Sequence, residues 1–76
     1  MTRRVKGPAS VELDNELRAH REKAGLTQAE LAEKVGVTRK TVNTVERGHF
    51  VPSTVLALRL AIALEVPVED LFSLPK

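Results

Sequence analysis

The feature that most constrains this chain is its punctuation: from residue 11 onward, helix stop and start signals recur at short intervals. Asp14 is placed to cap a first helix running through Leu17 and Arg21, which Gly25 ends in the left-handed conformation that glycine tolerates best. Thr27 then caps a second helix, and Glu30 three residues on completes a reciprocal capping box. Gly36 ends that helix and Thr38 caps a third, which runs to Gly48. A loop, His49-Phe50-Val51-Pro52, leads to Ser53, the cap of a fourth helix reaching Leu64, and Val66-Pro67 restarts the chain into a short fifth helix ending near Phe72. No segment alternates with period two for long enough to predict a strand. The expectation is an all-α, compact five-helix domain over 11–76, preceded by a flexible basic arm over 1–10 that Gly7-Pro8 keeps from being helical.

Charge is distributed unevenly. The formal net charge is only +2, yet ten of the twelve lysines and arginines precede Gly48 and only Arg59 and Lys76 follow it. A basic half and a near-neutral apolar half predict that one end meets an anion and the other meets something else. There is no cysteine, which removes disulfides, thiolate metal sites and cysteine catalysis and suits a reducing cytoplasm. His20 and His49 are the only histidines and lack carboxylates at ligand spacing, so no metal site is expected; His20 reads as half-buried packing and His49 as a loop residue. No run approaches the roughly 18 apolar residues a membrane span needs. With no glycine-rich phosphate loop, triad or metal cluster, neither enzyme activity nor a cofactor is expected. Phe50 and Phe72 are too few aromatics for single-stranded RNA stacking.

The stretch from Gln28 to Arg47 carries the functional reading. Leu31, Val35, Val37, Val42 and Val45 supply an apolar interior, Ala32 is small enough to lie beneath a close helix crossing, and Gly36 permits the reversal between two helices. Gln28, Arg39, Lys40, Asn43, Thr44 and Arg47 are left to face outward, which is the chemistry that groove readout requires.

The run Leu26-Thr27-Gln28-Ala29-Glu30-Leu31-Ala32, then Val35-Gly36-Val37-Thr38, Val45-Glu46-Arg47-Gly48, Pro52-Ser53, Leu60-Ala61, Val66 and Leu71-Phe72, resembles the Cro/C1-type (XRE) helix-turn-helix regulators. That resemblance implies a lambda-repressor-like fold and a double-stranded DNA ligand. It implies a phosphate bond and a brace to the third helix for Gln28, and base contacts for Arg39, Lys40 and Thr44. Thr38, Thr41, Asn43 and Arg47 would share base-edge and phosphate contacts, and Arg21 and Glu46 would form a structural ion pair. Glu65 stands where the family usually has a helix-ending glycine, and Pro67 where it usually has a capping serine.

The fourth helix is apolar almost all round, more than one small core can bury. A homodimer through the C-terminal half is therefore expected, with Ile62, Val68, Leu71 and Leu74 nearest the axis and Val55 a further candidate. The alternative function is an antitoxin or adaptor module whose main ligand is another protein; Val55 and Ile62, apolar where the resemblance implies polar residues, favour such a partner.

Overall fold

In a computed structural model, residues 13–75 are described. Five helices follow in order: α1 (Leu17–Lys23), α2 (Gln28–Val35), α3 (Arg39–Glu46), α4 (Thr54–Leu64) and α5 (Val68–Leu71). The expected arm over 1–10 lies outside the described residues.

Local chemistry sets most of these boundaries. At α2, Thr27 Oγ1 accepts from the Glu30 amide at 3.0 Å while Glu30 Oε1 accepts from the Thr27 amide at 2.8 Å, so the reciprocal cap is formed. Thr38 caps α3 through the Thr41 amide, and Ser53 caps α4 through the Leu56 amide. Gly36 closes α2 at φ 80°, and its amide bonds back to Ala32 O at 2.9 Å. The end of α4 needs the same left-handed backbone but has no glycine there: Glu65 adopts φ 60°, ψ 42°. Bonds from the Val66 amide to Ala61 O and from the Glu65 amide to Ile62 O hold this less favourable conformation in place. Pro67 stands at the N-cap of α5 in the extended conformation, φ −63° and ψ 148°, and supplies no side-chain cap bond.

Two sequence expectations are corrected at the start of the chain. Asp14 does not cap α1. It lies with Asn15 in a two-residue strand, β1 (Asp14–Asn15), paired antiparallel with β2 (Phe72–Ser73), so the domain is not free of strand. The neighbouring side chain serves the helix instead: Asn15 Oδ1 accepts from the Leu17 amide at 3.2 Å, while its Nδ2 donates to Val45 O at 3.1 Å. The Glu16 amide bonds Leu71 O at 2.8 Å and completes the clasp between the two ends of the domain.

The core is formed by Leu17, Leu31, Ala32, Val35, Val42, Val45, Leu60, Ala61, Leu64 and Leu71. Every helix contributes to it. Ala32 is buried where α2 and α3 pack, whereas Ala29 on the same helix is exposed. Leu71, expected near a dimer axis, is only 1% exposed and belongs to the protomer's own core. Leu71 is the buried residue of this one-turn helix. Val68 packs partly against the same core, whereas Ile62 and Leu74 are each 76% exposed.

Candidate nucleic-acid interface

The interface starts from the crossing of α2 and α3. Leu31, Ala32 and Val35 of α2 and Val42 and Val45 of α3 turn inward. That leaves Arg39, Lys40 and Arg47 exposed and Thr41, Asn43 and Thr44 half-buried on the other side of α3. Thr38 is exposed at the helix start, with its hydroxyl committed to the cap and 3.0 Å from Thr41 Oγ1. Thr44 Oγ1 donates to Lys40 O at 2.8 Å.

A buried ion pair ties this helix to α1. Arg21 Nε donates to Glu46 Oε2 at 2.6 Å, Arg21 Nη2 to Glu46 Oε1 at 3.3 Å and Arg21 Nη1 to Leu26 O at 2.8 Å. The two side chains are only 10% and 4% exposed. The hydrogen bond to Glu46 raises the Arg21 pKa above its ordinary value, burial opposes this, and the charges of Glu46 and Glu22 add to the rise. A raised basic pKa stabilises the fold at every pH below the ordinary arginine value, and that contribution fades only as pH climbs through the raised one. Arg21 therefore stays charged across the neutral range.

Gln28 joins this network. Its Nε2 donates to Glu46 Oε1 at 3.0 Å and to Asn43 Oδ1 at 3.2 Å, and its Oε1 accepts from Arg39 Nη1 at 3.4 Å. The expected brace between α2 and α3 is present. Both amide hydrogens are engaged within the protein, so in this arrangement the Gln28 side chain has no donor left over for a phosphate.

The structure sorts the sequence-predicted residues into two edges of α3. Gln28, Arg39, Asn43, Arg47, Arg21 and Glu46 line one cleft of about 570 Å³ with Arg18, Thr27 and Ala29. Lys40, Thr41 and Thr44 line a separate concavity of about 220 Å³ with Phe50. Arg18 and Phe50 were not singled out from sequence. Arg18 faces this cleft from another helix, which no local pattern encodes. The signal for Phe50 was a large aromatic in a loop, and it is 47% exposed. Among the described residues, neither Arg39 nor Arg47 has a carboxylate at ion-pair distance, and no group of His, Asp or Glu is placed to hold a metal ion. No helix of the described residues is long and apolar enough to cross a membrane.

A helix-turn-helix family model matches residues 17–71, covering α1 to α5. The chain belongs to the Cro/C1-type (XRE) helix-turn-helix family. Members of this family are transcriptional regulators with a helix-turn-helix DNA-binding domain. This Cro/C1-type chain is 52% identical over 59 residues to an uncharacterized HTH-type transcriptional regulator of Methanothermobacter thermautotrophicus, covering 76% of this chain and 86% of that one. It is 42% identical over 60 residues to the uncharacterized HTH-type transcriptional regulator YgzD of Bacillus subtilis, covering 79% and 91%. Among solved structures, it is similar to the restriction-modification controller protein C.AhdI from Aeromonas hydrophila. The two share a TM-score of 0.68 and 41% identity, with 71% of this chain and 82% of that one covered.

Proposed function

We propose that the protein is a sequence-specific regulator, acting as a repressor, that inserts α3 into the major groove of double-stranded DNA. The observation that carries this reading is the outward face of α3, where Arg39, Lys40 and Arg47 stand exposed beside polar Asn43, Thr41 and Thr44. Arg39, Lys40 and Thr44 address base edges; Thr38, Thr41, Asn43 and Arg47 share bases and flanking phosphates. Gln28 holds α2 against α3. Its backbone amide and that of Ala29, in the first turn of α2, have no intrahelical acceptor and suit a phosphate. Residues 11–76 constitute the binding domain, and the cytoplasm is the place of action.

Selection of bound sequences from a random duplex pool tests this. The wild type should return a defined site. Arg39→Ala should relax the preference at one or two base pairs, costing about 1–3 kcal/mol on that site. Equal weakening on all sequences would remove Arg39 from the base-reading set.

The regulator acts as a symmetric dimer. Val55, Leu58 and Ile62 lie at helical spacing along α4 and are 58%, 48% and 76% exposed. Of the residues expected nearest the axis, Ile62 and Leu74 are exposed, Val68 is half-buried and Leu71 is excluded as a contact residue. A second copy covering this face places two α3 helices on a palindrome, about 34 Å apart along the duplex. In sedimentation at micromolar concentration the wild type should run as a dimer and Ile62→Glu as a monomer. A monomeric wild type that binds single half-sites would contradict the pairing. The same face also suits the alternative antitoxin or adaptor reading, in which a different protein covers it; a one-to-one heterologous complex would identify that case.

A further inference from the structure

We infer that Glu46, acting through Gln28, is a positioning residue that locks the α3 cluster in one hydrogen-bond polarity and so directs it toward guanine. The inference rests on the proposed docking of α3 in the major groove.

The lock follows from which groups can donate. Glu46 is a carboxylate held by Arg21, with its side chain 4% exposed, so toward Gln28 it only accepts. A carboxamide has a donor end and an acceptor end. With Glu46 Oε1 3.0 Å from its nitrogen, Gln28 must turn its NH₂ inward and its oxygen toward Arg39. The second inward hydrogen goes to Asn43 Oδ1 at 3.2 Å, which fixes the neighbouring amide as well: Asn43 must direct Nδ2 away from Gln28. One buried carboxylate therefore sets the orientation of two amides in series.

The consequence lies at the groove-facing edge. Arg39 carries five N–H donors and no acceptor, and one of them is anchored on Gln28. Asn43 adds the donors of Nδ2, since its oxygen is turned toward Gln28. The edge offers donors, held in place before any ligand arrives. In the major groove guanine presents two acceptors, N7 and O6, whereas adenine pairs an acceptor with a donor and cytosine presents a donor. A donor-rich edge of this kind matches guanine and mismatches the exocyclic amine of adenine or cytosine.

The polarity of the lock distinguishes this from a purely structural brace. Methionine at position 28 keeps the length and leaves the Arg21–Glu46 pair intact, but it anchors neither Arg39 nor Asn43. Glutamine at position 46 supplies a donor where the wild type has only acceptors, and allows the Gln28 amide to reverse.

The test uses the full chain and the duplex selected by the wild type. The position that Arg39→Ala relaxes is substituted with adenine or with 7-deazaguanine, which lacks the N7 acceptor. The wild type should select guanine there and bind that duplex about ten-fold more tightly than either substituted one. Gln28→Met and Glu46→Gln should each narrow that ratio several-fold, beyond any uniform loss of affinity read on unrelated duplex at low salt. Because Glu46→Gln also disturbs the partner of Arg21, Gln28→Met carries the test if the other variant fails to fold. Selection of adenine at that position, or a Gln28→Met protein that keeps the full guanine preference, would overturn the inference. A wild type that binds no duplex at all would instead remove the proposed function, and the inference with it.

Discussion

Arg21→Met should lower the unfolding free energy by about 3–5 kcal/mol, because it strands the Glu46 carboxylate in a site built around a cation. Glu46 receives two bonds from Arg21, and its side chain is 4% exposed. The substitution also takes the 2.8 Å donor from Leu26 O. For a domain of this size, at roughly 0.05–0.15 kcal/mol per residue, that loss is a large share of the total. The double variant Arg21→Met/Glu46→Leu should recover much of it, since well-packed apolar replacements of a buried pair are often neutral or better. Arg18→Met is the internal control. Arg18 and Glu22 bond at 3.0 Å, but their side chains are 71% and 55% exposed, so removing that pair should change little. Urea unfolding followed by far-ultraviolet circular dichroism measures all three. A single-variant loss below about 1 kcal/mol, the range of exposed pairs, would show that the Arg21–Glu46 pair is solvated.

The second large effect is expected at the helix crossing. Ala32 is 3% exposed between α2 and α3. Leucine there overfills the core that Ala32 shares with Val42 and Val45, at a cost of roughly 1–3 kcal/mol, and would push α3 off its support. Ala29, three residues earlier, is exposed, and leucine there should be nearly neutral. Thermal melts should separate the two variants by several degrees; equal melting temperatures would contradict the crossing. Ala32→Leu should also weaken DNA binding in proportion to the displacement of α3.

The parts of this fold legible in the sequence were those written over three or four residues. The Thr27/Glu30 box, the Thr38 and Ser53 caps and the Gly36 turn are local bonds, and each forms where its residue types stand. The inward set of α2 and α3 followed from helical spacing. The Arg21–Glu46 pair came from the family resemblance rather than from spacing. Features that depend on distant chain were harder to read. Asp14 has the chemistry of a cap, yet pairing with Ser73 draws it into a strand, and Asn15 takes over the Leu17 amide. Leu71 follows Glu69-Asp70 in a short segment of mixed polarity, and four helical residues do not define a face; only the packed domain shows it buried. The polarity of Gln28 was equally hidden. Sequence identifies an amide at the start of α2 but not which end of it meets Glu46.

The most direct test of the central claim, that α3 and its cationic edge bind duplex DNA, is a titration of a fluorescent duplex at several salt concentrations. Each phosphate neutralised contributes about −0.9 to the slope of log affinity against log salt. The protein should bind duplex DNA at low salt and weaken steeply as salt rises. Arg47→Ala should flatten the slope by about one phosphate's contribution. No binding to any duplex at low salt, or an affinity indifferent to salt, would contradict the account.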